Sequence, residues 1–74
     1  MISYVISAKD IPVSGYMLTE DMIPNMNHDE IYIVHVNGLN TLTFKLMKHC
    51  IDNGISLTLV HWRDGHQHIV SKVC

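Results

Sequence analysis

Two spacings of apolar residues alternate along this chain, and the switches between them mark out its elements. Residues 2–8, ISYVISA, are rich in β-branched and aromatic side chains and predict a strand. Lys9 to Gly15 holds a proline and a glycine and predicts a turn. Tyr16 to Leu18 has the character of a short second strand. Thr19 to Glu30 predicts a loop, with a helical turn starting at Thr19-Glu20-Asp21-Met22. Ile31 to Val36, IYIVHV, is a nearly unbroken apolar run, the pattern of a central strand buried on both faces. Asn37-Gly38 ends it.

The period then changes. Leu39, Leu42, Leu46, Met47, Cys50 and Ile51 recur at three- and four-residue spacing and predict a helix over Thr41 to Asn53. Asn40 or Thr41 is placed to cap it, and Gly54 to end it in the left-handed conformation. Ile55 to Trp62 returns to strand character with no linker. Arg63-Asp64-Gly65-His66 predicts a tight turn, and Gln67 to Val73 a partner strand. The expected fold is α+β, in the order β…β-α-β-β. One helix packs on a mixed sheet with a C-terminal β-hairpin, in a single small domain spanning 1–74.

Length and composition narrow this further. A chain of 74 residues leaves room for one domain and buries only about 60% of its unfolded surface. Its 47% apolar content suits a globular fold and argues against disorder. Five Lys/Arg stand against seven Asp/Glu, with no basic run, so nucleic acid is an unlikely partner. Lys45, Lys48, Arg63 and Lys72 make at most a modest patch. No stretch approaches the ~20 apolar residues of a membrane span, and no targeting segment is visible. The expected location is cytoplasmic. Cys50 and Cys74 are too few for a disulfide scaffold, and no CxxC occurs.

Six histidines are the least ordinary feature of the composition. His61, His66 and His68 flank the hairpin turn. A two-residue Asp64-Gly65 turn pairs Arg63 with His66, Trp62 with Gln67, and His61 with His68. The three histidines then share one face, and His35 joins them if its strand lies adjacent. Such a face could hold Zn²⁺ or act as a pH-sensitive contact surface. The plain alternative is a solvated sheet tip, and no metal or other cofactor is expected. A shift of one residue in register would split His61 from His68.

Catalytic signatures are missing. No GxSxG, P-loop, GxGxxG or HExxH occurs. Cys50 and His49 are helix neighbours whose side chains diverge, so they form no dyad. The chain is therefore not expected to be an enzyme. Trp62 precedes the turn and alternates with Val60, opposite Ile55, Leu57 and Leu59. Either Trp62 and Val60 pack inward, or they form an apolar patch with Ile69 and Val73. In the second case Trp62, Val60, Ile69 and Arg63 are the candidate interaction residues.

The stretch IPNMNHDEIYIVHVNGLNTLTFKLMKHCIDNGISLTLVHWRDGHQHIVS, residues 23–71, resembles the N-terminal β-domain of the CRISPR adaptation integrase (Cas1). Its order is Ile-Pro and a polar lead-in, an apolar strand, and a helix beginning near Thr-Leu-Thr. A glycine stop, a second apolar strand and a glycine turn follow. The resemblance implies a domain concerned with dimerisation. In that family the metal-dependent nuclease site lies in a separate helical domain, so no catalytic residue is carried over to this sequence.

The functional expectation is a small non-enzymatic protein–protein interaction module, a prokaryotic or phage-encoded regulator or inhibitor. It would bind a larger protein or form a homodimer. A metal- or pH-responsive binding protein using the hairpin histidines is the first alternative, and a nucleic-acid-binding domain the second.

Overall fold

The structure is a computed structural model that describes residues 2–6, 11–13, 15–38 and 40–73. Five strands form one sheet: β1 (Ile2–Ile6), β2 (Tyr16–Met17), β3 (Ile31–Val36), β4 (Ser56–Arg63) and β5 (His66–Lys72). A 3₁₀ helix spans Glu20–Asn25, and α1 spans Thr41–Asn53. The spatial order is β2-β1-β3-β4-β5. The first four strands are mutually parallel, and β5 runs antiparallel to β4. The predicted α+β fold and its element order are therefore present. The last two residues of the first predicted strand, Lys9, Asp10 and Ser14 of the turn that follows, Leu39 and Cys74 lie outside the described residues.

One face of the sheet carries the core. Tyr4 and Ile6 of β1, Tyr32, Val34 and Val36 of β3, and Leu57 and Leu59 of β4 lie in register across three strands. They pack against Leu46 and Cys50 of α1 and against Leu18, Ile23 and Met26 from the segment before β3. Tyr4 and Tyr32 stack at 5.9 Å, and Tyr32 Oη accepts a hydrogen bond from the Asn27 backbone N–H at 2.8 Å. Burial, with the neighbouring Tyr32, raises the Tyr4 hydroxyl pKa above its ordinary value.

Strand β3 is central but not buried on both faces, as its apolar run predicts. Tyr32, Val34 and Val36 are buried, Ile33 and His35 are half-buried, and Ile31 is exposed. The helix covers one side only, so the opposite residues meet less cover. The helical stripe needs a similar correction. Ile51 is exposed, because it lies about 100° round the helix from buried Cys50. Thr43 occupies the buried face instead.

The helix ends follow from local chemistry. The side chain of Asn40 accepts from the Thr43 backbone N–H at 2.9 Å, satisfying one orphan donor of the first turn. Gly54 sits at φ 65°, and the Ile55 N–H donates to the Cys50 carbonyl at 2.9 Å. This closure lets the chain leave α1 directly into β4.

Candidate functional site

The terminal hairpin gathers most of the predicted site residues. Asp64 and Gly65 both have positive φ, 53° and 77°, as a two-residue type I′ turn requires. Arg63 pairs with His66 and Trp62 with Gln67, as that turn dictates. Beyond this the register departs from expectation. A β-bulge between His61 and Trp62 sets His61 opposite Ile69 and leaves His68 without an opposite residue. The predicted His61–His68 pair is absent.

His35 does not join these histidines. It lies in register with Val5 on one side and Val60 on the other, on the face away from α1. Trp62 alternates with Val60 and shares that face. Its Nε1–H donates to His35 Nδ1 at 2.9 Å. Burial among these neighbours lowers the His35 pKa. The described residues contain no group of three or more His, Cys, Asp or Glu side chains placed to share an ion.

Trp62 is half-buried and Val60 only 7% exposed, so Val60 contributes little accessible surface. Ile69 falls on the opposite face from Trp62, beside His61, and Val73 packs against the core. The apolar grouping of Trp62 and Val60 with Ile69 and Val73 on one face is thus replaced. Val70, opposite Val60, completes the outer face, while Ile69 stands on the other.

Strand β5 borders the sheet and pairs only with β4. Ile69 is 59% exposed and Val70 54%. The Val73 N–H donates to the Leu57 carbonyl at 2.8 Å. Alternation in an antiparallel ladder turns the backbone groups of Ser71 toward β4 as well. Those of Val70 and Lys72 are turned to the open edge.

Sequence reasoning missed the cleft that this arrangement creates. Asn37, Gly38, His61, Trp62, Arg63, His68 and Ile69 line a shallow depression of about 360 Å³ at the carboxyl ends of β3 and β4. His68, the residue the bulge leaves unpaired, is part of this lining. A second groove, of about 310 Å³, lies between the 3₁₀ helix and α1 and is lined by Ile23, Lys45 and His49 among others. Lys45 is paired there with Glu20, and Lys48 with Asp52.

Comparison with known protein families, curated proteins and solved structures finds no match to this chain. The integrase resemblance therefore stands on its residue pattern alone. No helix among the described residues is long and apolar enough to cross a membrane.

Proposed function

We propose that this chain is a non-enzymatic protein–protein interaction module that works through the open edge of β5, and that its first partner is a second copy of itself. One observation carries the reading: an edge strand with adjacent apolar residues exposed on both faces, Ile69 and Val70. Natural proteins blunt or cover such edges, because free N–H and C=O groups invite another strand. Here the bulge and Lys72 restrict regular pairing to a short segment around Val70. A two-fold axis there joins two β5 strands antiparallel and continues the sheet across both copies. The size and composition suit a regulator or inhibitor acting in a prokaryotic cytosol, phage-encoded or native. The dimerising role implied by the integrase resemblance agrees with this reading.

Light scattering across a concentration series tests it. A dimer mass at micromolar concentration is expected, falling to a monomer in Val70→Lys, which places a charge at the edge without touching the core. A monomer mass for the unaltered protein at every concentration would sink the homodimer.

A further inference from the structure

The cleft at the carboxyl ends of β3 and β4 has a character separate from the β5 edge. In open sheets with parallel strands, ligands gather beyond the carboxyl ends, where strands stop and crossover segments diverge. A volume of about 360 Å³ falls in the range of small-ligand sites.

Its lining is selective. The chain carries seven Asp/Glu and a formal charge of −2, yet among the described residues no carboxylate lines this cleft. Arg63, His61 and His68 do. Among the described residues Arg63 makes no ion pair, so its guanidinium fork is open to an oxyanion. Each histidine ring offers at least one N–H donor. The apolar part of the lining on the face of His61 and Arg63 is the exposed side chain of Ile69. Trp62 borders the cleft, its ring held on the outer face by the bond to His35. Gly38, at φ 148°, adds no side chain to the cleft.

We propose that this cleft binds a small organic anion, with its phosphate or carboxylate on Arg63, His61 and His68 and its apolar part against Ile69. The inference is independent of dimerisation, since the Val70→Lys variant leaves every cleft residue in place.

Trp62 is the only tryptophan, so intrinsic fluorescence reports directly on the site. The probes are adenosine monophosphate, benzoate, adenosine and inorganic phosphate, titrated separately into the intact protein. A saturable change is expected with adenosine monophosphate, benzoate or both, and which of them acts identifies the anionic group. Adenosine and phosphate alone should bind at least about tenfold more weakly, a loss near 1.4 kcal/mol. Arg63→Ala should weaken binding by a similar factor, while Lys72→Ala, outside the cleft, should leave it unchanged. The proposal is overturned if neither anion gives a saturable change, if adenosine binds as well as its monophosphate, or if Arg63→Ala binds with unaltered affinity.

Discussion

Trp62 Nε1 donates a hydrogen bond to His35 Nδ1 at 2.9 Å across a sequence separation of 27 residues, and the two rings tilt by 44° with centroids 6.0 Å apart. The bond requires Nδ1 to be unprotonated, so it selects the tautomer with its proton on Nε2. Val5 and Val60 flank His35 on the neighbouring strands and offer it no compensating charge. Charging the ring would break the bond to Trp62 and strand a cation among apolar side chains.

Stability should therefore fall on acidification. Burial lowers the His35 pKa in the fold below its ordinary 6.5, so the unfolded chain binds the proton more readily. The stabilisation is complete above pH 6.5, declines as pH falls through the folded pKa, and then levels off. Thermal melts across this window, with Trp62 fluorescence as the probe, should show the decline. His35→Phe should flatten it, and an unchanged slope in that variant would assign the effect to another group.

Leu46 is fully buried at the centre of the helix–sheet contact. Leu46→Ala should cost about 2–5 kcal/mol. Leu46→Asp should prevent folding, because an unpaired buried charge adds several kcal/mol more. Lys45→Asp, one position away on the exposed side, should be mild, losing only a surface pair with Glu20. Circular dichroism melts separate the three, and similar melting for Leu46→Asp and Lys45→Asp would show that the buried face has been misassigned.

Asn40 serves two donors at once. Its Oδ1 accepts from the Thr43 backbone N–H at 2.9 Å and from the Thr43 hydroxyl at 3.0 Å, and Thr43 is fully buried. Asn40→Ala should cost about 1–2 kcal/mol, toward the upper end for a helix cap, because it also orphans that hydroxyl. Asn40→Asp keeps the acceptor and should lose much less. The double variant Asn40→Ala with Thr43→Val, compared by denaturant midpoint, should recover part of the loss. No recovery would show that the hydroxyl contact carries no weight.

Zinc is expected to leave the melting temperature unchanged. A site filled at about 100-fold above its dissociation constant would add about 2.7 kcal/mol. In a domain of this size that is a rise of at least about 10 °C. Such a rise, lost in both His61→Ala and His68→Ala, would restore the metal-binding reading of the hairpin.

What the sequence determined by itself is local. The helix bounds follow from Asn40, Gly54 and the three-and-four spacing between them. The hairpin tip follows from Asp64-Gly65, whose positive φ values suit those residues. Capping, turn conformation and hydrophobic period act over a few residues, so a short window contains their cause. Tertiary structure decided the rest. Whether IYIVHV was covered on one face or two depended on which other elements lay above and below it. The bulge that parted His61 from His68 belongs to the pairing of β5 with β4, and no residue pair encodes it alone. The same holds for His35. Its choice of Trp62 over the hairpin histidines was fixed by the parallel register that set it beside Val60, because side chains one residue apart on a strand face opposite sides of the sheet.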